Sequence, residues 1–128
     1  MDIAVLGMGR MGSALASRLL DGGHRVTVWN RTKGKAGQAV SDGAREAHSV
    51  ARAVQDVDVV VTMLANDDAV RAIAYGDLGT SIGDQTIYVN CSTVSPALNT
   101  ELAKAFPARF VAMPRRMLDL HRCQCERS

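Results

Sequence analysis

Three glycines near the start of the chain carry the first chemical signal. Gly7-Met8-Gly9-Arg10-Met11-Gly12 has the spacing G-x-G-x-x-G, directly after the apolar run Ile3-Ala4-Val5-Leu6 and ahead of a helical pattern. Between a strand and a helix, such a turn brings bare backbone against a pyrophosphate. Gly7 allows the tight turn and Gly9 lets the phosphates approach the main chain. Gly12 lets the helix lie close to the sheet, and Ala16 keeps that face small one turn later. The helix N-terminus adds unpaired N–H groups and a partial positive charge, which brings Met8, Arg10 and Met11 into the set of expected contacts. A glycine-rich turn without a ligand is the bland alternative, and the flanking strand and helix disfavour it.

The second signal bears on which dinucleotide would bind. An NAD-specific site carries an acidic residue about 20 positions further on, where it bonds the ribose hydroxyls. Here that place holds Asn30-Arg31-Thr32, followed by Lys33 and Lys35. No carboxylate stands there to repel a 2′-phosphate, and a guanidinium, a hydroxyl and an amide are available to hold one. The expectation is NADP(H) rather than NAD. A solvated basic loop is the competing reading.

These residues need elements to position them. Ile3–Leu6 reads as a strand buried on both faces, and Met11–Leu20 as a helix stopped by Gly22-Gly23. Arg25–Trp29 reads as a second strand, 33–40 as a helix, and 44–47 as a short third strand. Ser49 caps a helix to about Gln55, and 57–64, with Val59-Val60-Val61, is the fourth strand. Asn66 is the N-cap of the next helix, with Asp67 and Asp68 in its first turn. Thr86–Asn90 is the fifth strand. Ser95-Pro96 opens a helix striped by Leu98, Leu102 and Phe106, and 109–111 is a sixth, edge strand. Strand and helix alternating in this way predict an α/β fold, a doubly wound parallel sheet of about six strands. Residues 1–112 form the expected domain, and 113–128 a divergent tail of unknown order.

Composition excludes other classes. With 128 residues, 47% apolar and 22% charged, the chain suits one globular domain. Its formal charge of +2 and 4% aromatic content argue against a nucleic-acid partner. Three cysteines are too few for a disulfide scaffold. No apolar run reaches the length of a membrane helix, and no signal peptide is visible, so a cytoplasmic location is expected. Residues 1–111 hold eleven basic and eleven acidic side chains, so the whole excess of positive charge lies in the tail. Cys123-Gln124-Cys125 with His121 lacks the spacing and the second ligand pair of a zinc site, and no metal is expected. Cys91, His24, Trp29 and Lys104 read as packing or surface residues, and His48 has no evident acid partner.

With the strand–turn–helix, Gly23-His24-Arg25-Val26-Thr27-Val28-Trp29-Asn30-Arg31-Thr32, Thr62-Met63-Leu64 and Asn90-Cys91-Ser92-Thr93-Val94-Ser95-Pro96 in order, the chain resembles the N-terminal, Rossmann-type NAD(P)-binding domain of the β-hydroxyacid dehydrogenases. That group includes 3-hydroxyisobutyrate and 6-phosphogluconate dehydrogenases, and imine reductases share the domain. The resemblance implies that Met63 and Leu64 lie along the adenosine ribose, that Val70 backs the adenine, and that Thr93, with Asn90 and Ser92 beside it, lies near the nicotinamide. Ser92 is also the candidate substrate contact. As residues, Ser92 and Thr93 read equally well as ligand hydroxyls or as turn residues ahead of the Ser95 cap.

The resemblance stops after Pro114. The family's Ser-Gly-Gly segment is replaced by Arg115-Arg116-Met117-Leu118, and the lysine general acid/base, on a later helix of a second, helical domain, has no counterpart. The expectation is therefore the NADP(H)-binding part of a 3-hydroxyacid dehydrogenase-like oxidoreductase, truncated or frame-shifted, and inactive alone; a small hydroxyacid would be its substrate only with a helical domain supplied. An imine reductase-like fragment and a stand-alone, non-catalytic dinucleotide-binding module are the alternatives.

Overall fold

The computed structural model describes residues 1–112 apart from Lys33, Lys35, Thr93 and Ala108. Six short segments become strands: β1 Asp2–Leu6, β2 Arg25–Trp29, β3 Arg45–Glu46, β4 Val59–Thr62, β5 Ile87–Asn90 and β6 Phe110–Ala112. They form one parallel sheet in the order β3-β2-β1-β4-β5-β6. The order reverses between β1 and β4, which is where open α/β sheets hold ligands, outside the carboxyl ends of the strands.

Alternate side chains of each strand serve opposite faces. Ile3, Val5, Val26, Val28 and Val61 pack with Ala16, Ala36 and Ala39 on one side. Those alanines belong to α1 (Arg10–Asp21), α2 (Gly37–Ser41) and the turn before α2. Ala4, Leu6, Val60 and Tyr88 pack on the other side, against Val50, Val70, Leu98 and Leu102. These come from α3 (Val50–Ala53), α4 (Asp67–Ile73) and α6 (Pro96–Ala105). Tyr88 meets the rings of Phe106 and Phe110 edge-on, at centroid distances of 5.1 and 5.3 Å. The Leu98, Leu102 and Phe106 stripe is fully inside, as its helical spacing predicts.

The expected caps form. Ser49 Oγ accepts from Arg52 N, Asn66 Oδ1 from Ala69 N, and Ser95 Oγ from Leu98 N. Two helices are shorter than their patterns suggest. The helix expected over 33–40 is found at Gly37–Ser41, because Gly34 takes a left-handed φ of +90° that no helix accommodates. The helix expected to reach Gln55 ends at Ala53, and Asp56 follows with φ 57°. One segment had no predicted element: α4 continues through a wider π-helical turn, Ala74–Leu78, into α5, Gly79–Ser81. Val70, Ala74 and Leu78, spaced four apart, are all buried there, while Gly76 breaks the helical backbone. The tail 113–128, including Cys123, Cys125 and His121, lies outside the described residues. Among the described residues, no helix is long and apolar enough to cross a membrane.

Candidate cofactor cleft

The glycine turn joins the carboxyl end of β1 to α1, beside the point where the strand order reverses. Gly7 has φ +111°, and its N–H donates to the Trp29 carbonyl at 2.8 Å. A Cβ on Gly7 would collide with the Met63 carbonyl, and one on Gly12 with the Gly7 carbonyl. Both positions are therefore closed to any side chain by the fold itself. Gly9 differs. Its backbone, φ −71° and ψ −171°, suits any residue, and a Cβ there would meet nothing within 4 Å. Among the described residues nothing demands glycine at position 9, and the space over its backbone is open.

The helix behind this space has an unspent N-terminus. No side chain caps Gly9, and no acidic residue lies in the first turn of α1. The N-termini of α3, α4 and α6 are closed by Ser49, Asn66 and Ser95. Donor N–H groups at α1 thus remain available to an anion. A cleft of about 380 Å³ opens over them, lined by Met8, Gly9, Arg10, Ser13 and Asn30. Met8 contributes main chain, since its side chain is buried among Ile3, Val5 and Ala16. Arg10 and Met11 are exposed. Ser13 was missed by sequence reasoning; it follows Gly12 directly, and a hydroxyl in the first turn after such a loop was the available signal.

Asn30 has a task inside the protein that its sequence does not announce. Its Oδ1 accepts from Met8 N at 2.8 Å and its Nδ2 donates to the Thr32 carbonyl at 3.0 Å. Because the Met8 N–H can only donate, the amide atom facing it is the oxygen. Both ends of the amide thereby fasten the glycine turn to the loop after β2, and the second Nδ2 hydrogen is left over. Arg31 and Thr32 are exposed beside this tether. Lys33 and Lys35 lie outside the described residues.

On the other side of the reversal, Met63 and Leu64 leave β4 half-buried, with Met63 N bonded to the Leu6 carbonyl. Leu64 N donates to Ser92 Oγ at 2.7 Å. Two expectations are corrected here. Val70 has no exposed surface and packs in the core with Leu6, Val60 and Tyr88, so it cannot back an adenine. It lies on the α4 face turned toward the sheet. Asn90 is 1% exposed and bonds only within the protein, so it makes no direct contact with a ligand. Ser92 is nearly buried, and Thr93 lies outside the described residues. Burial raises the Cys91 thiol to about 11, which keeps it protonated and agrees with a packing role.

Next to this end of the sheet, the Asp67 carboxylate accepts from Ser95 N at 2.9 Å and Ser95 Oγ at 2.6 Å. The two bonds from Ser95 hold the Asp67 carboxyl below its usual range. They also tie the first turn of α4 to the cap of α6. A larger hollow of about 650 Å³ lies at the amino ends of β1 and β2, with His24, Arg25, Arg45 and His48 in its wall. It is at the wrong edge of the sheet for a dinucleotide. Among the described residues, no cluster of three or more His, Cys, Asp or Glu side chains could hold a metal.

A parallel sheet in this order, with a glycine turn under an uncapped helix at the reversal, defines a dinucleotide-binding domain of the Rossmann type. Residues 2–114 match the family described as the NAD binding domain of 6-phosphogluconate dehydrogenase, and the chain belongs to that family. It is 37% identical over 119 residues to an uncharacterised oxidoreductase of Bacillus subtilis, covering 89% of this chain and 42% of that protein. It is 34% identical over 113 residues to the 3-sulfolactaldehyde reductase of Escherichia coli, covering 87% of this chain and 38% of the enzyme. Human cytokine-like nuclear factor N-PAC is 37% identical over 109 residues, covering 84% of this chain and 20% of that protein.

Solved structures agree. The 3-hydroxyisobutyrate dehydrogenase of Mycobacterium tuberculosis, solved with L-serine, superposes with a TM-score of 0.80 at 28% identity, covering 87% of this chain and 38% of that one. An imine reductase from Myxococcus stipitatus bound to NADP+ gives 0.79 at 30% identity, covering 88% and 40%. A variant of that reductase bound to NAD+ gives 0.78 at 26% identity, covering 87% and 39%. The chain thus spans about two-fifths of the length of the oxidoreductases it matches.

Proposed function

We propose that this chain binds NADP(H) in preference to NAD(H), as the cofactor-holding part of a hydroxyacid dehydrogenase-like oxidoreductase. The observation that carries the reading is the open space over Gly9, bounded by the α1 N-terminus and the loop that presents Arg31. Gly9, Arg10 and Ser13 would hold the pyrophosphate, and Arg31 with Thr32 the 2′-phosphate. Asn30 keeps the two groups in register. Bound there, the dinucleotide supplies a nicotinamide ring able to exchange a hydride.

Turnover on an alcohol also requires a group that takes the hydroxyl proton and a surface that fixes the reacting carbon. The cleft residues Met8, Gly9, Arg10, Ser13 and Asn30 include no such base, so those tasks are assigned to a helical partner domain like that of the family. Titration of the chain with NADPH and NADH, read by Trp29 fluorescence or calorimetry, tests the cofactor assignment. Tighter NADPH binding is expected; equal affinities refute it.

A second reading is a binding module without turnover, favoured by the likeness to N-PAC, which is named as a nuclear factor and not as an enzyme. Supplying the helical domain of a hydroxyacid dehydrogenase separates the two. Oxidation of a hydroxyacid then supports the first, and a cofactor-dependent change in assembly without oxidation supports the second.

A further inference from the structure

Four polar side chains are buried where β4 and β5 end: Tyr88 and Thr62 at 0%, Asn90 at 1% and Ser92 at 9% exposure. Thr62 and Asn90 are register partners on the adjacent strands. Thr62 has one hydroxyl proton and gives it to Asn90 Oδ1 at 2.9 Å, so the Tyr88 hydroxyl donates to Thr62 Oγ1 at 3.1 Å. Asn90 Oδ1 also accepts from Ser92 N at 3.0 Å, which fixes the orientation of the amide. Its Nδ2 donates to Asn99 Oδ1 on α6, again at 3.0 Å. Ser92 Oγ then accepts from Leu64 N. No buried side-chain nitrogen or oxygen among the described residues lacks a partner.

Asn90 therefore stands where β4, the loop after β5 and α6 meet. Leucine would fill such a core position without needing three partners, and a fully paired polar network is worth keeping where one geometry must be specified. The network ends on two backbone groups, the N–H of Ser92 and, through its hydroxyl, the N–H of Leu64. Both lie in loops at the carboxyl edge, on the β4–β6 side of the reversal. The glycine turn and Arg31 lie on the β1–β3 side. In such sheets each side takes one nucleotide of the pair.

We propose that Asn90 is a positioning residue for the nicotinamide-riboside half of the dinucleotide, acting from inside the fold through Ser92 in the loop after β5. The proposal rests on the dinucleotide reading above. Its signature is a split between whole and half ligands, which a general loss of stability would not produce.

The test measures NADPH and 2′,5′-ADP binding to the full chain and to Asn90→Ala. The expected result is NADPH weakened about tenfold, as for loss of one buried hydrogen-bonded anchor, with 2′,5′-ADP changed less than about twofold. Parallel weakening of both ligands, or no change in either, overturns the proposal. Should Asn90→Ala fail to fold, the double variant Thr62→Val with Tyr88→Phe carries the same comparison. It replaces a bonded pair by apolar groups of like shape and frees one side of Asn90, so a smaller split in the same direction is expected, and its absence is equally decisive. An unmutated chain that binds neither ligand refutes the dinucleotide reading and this proposal together, whereas binding without a split refutes the proposal alone.

Discussion

The Met8 N–H donates to Asn30 Oδ1 across 2.8 Å, and this one bond joins the glycine turn after β1 to the basic loop after β2. In the proposed NADP site the first segment would bind the pyrophosphate and the second the 2′-phosphate, and this amide would set their spacing. Asn30→Ala should weaken NADPH and NADH alike, about five- to tenfold, for the loss of a hydrogen bond of about 1 kcal/mol. Titration of both cofactors checks it. A loss confined to NADPH would mean that Asn30 touches the 2′-phosphate directly and that the tether is secondary.

Arg31→Ala should do the opposite. Arg31 is exposed beside the tether. NADPH affinity is expected to fall on the order of 10- to 100-fold, from a charge-assisted bond of about 1.5–3 kcal/mol, with NADH nearly unchanged. Equal losses for the two cofactors would count against a 2′-phosphate contact.

Gly9 and Gly12 should separate function from folding. A Cβ at Gly9 enters open space, so Gly9→Ala should leave the melting temperature unchanged and weaken dinucleotide binding. A Cβ at Gly12 meets the Gly7 carbonyl, a backbone group that cannot step aside cheaply. Gly12→Ala should cost about 1–3 kcal/mol by overpacking. In a domain of this size that lowers the melting temperature by about 4–8 °C per kcal/mol. Thermal melts with and without NADPH give both answers, and a stable Gly12→Ala protein would contradict the close helix–turn contact.

The Asp67–Ser95 clamp predicts a limb in the acid stability. The folded carboxyl is held below its reference value of 3.8 by the bonds from Ser95. Its contribution is complete above that reference and is lost as pH falls through the lower folded value. The difference in melting temperature between the unmutated protein and Asp67→Asn should be constant at neutral pH and shrink once pH drops below about 4. A difference that persists undiminished in stronger acid would show that the clamp does not depend on the charge.

The features legible in the sequence are those governed by a few neighbouring residues. Ser49, Asn66 and Ser95 were readable as caps because a cap involves only the next three positions. Gly7, Gly9 and Gly12 were readable as a phosphate turn because their spacing sits between an apolar run and a helical one. The shortened α2 and the π-helical turn were not, since Gly34 and Gly76 depart from helical geometry inside segments whose composition still suits a helix.

What the sequence determined by itself was the alternation of six strands with helices, the glycine turn and the basic residues that follow β2. The tertiary structure decided which side chains have surface left to offer. Val70 and Asn90 are far from Gly7 in sequence, and only the packing of α4 and α6 on the sheet shows one sealed in the core and the other bonded on all sides. The same packing made Asn30 a tether between two loops and left Gly9 the open glycine of three. Local patterns are set by backbone geometry over a few residues. Exposure and hydrogen-bond partnership depend on contacts between distant segments, and those come into being only when the sheet is covered.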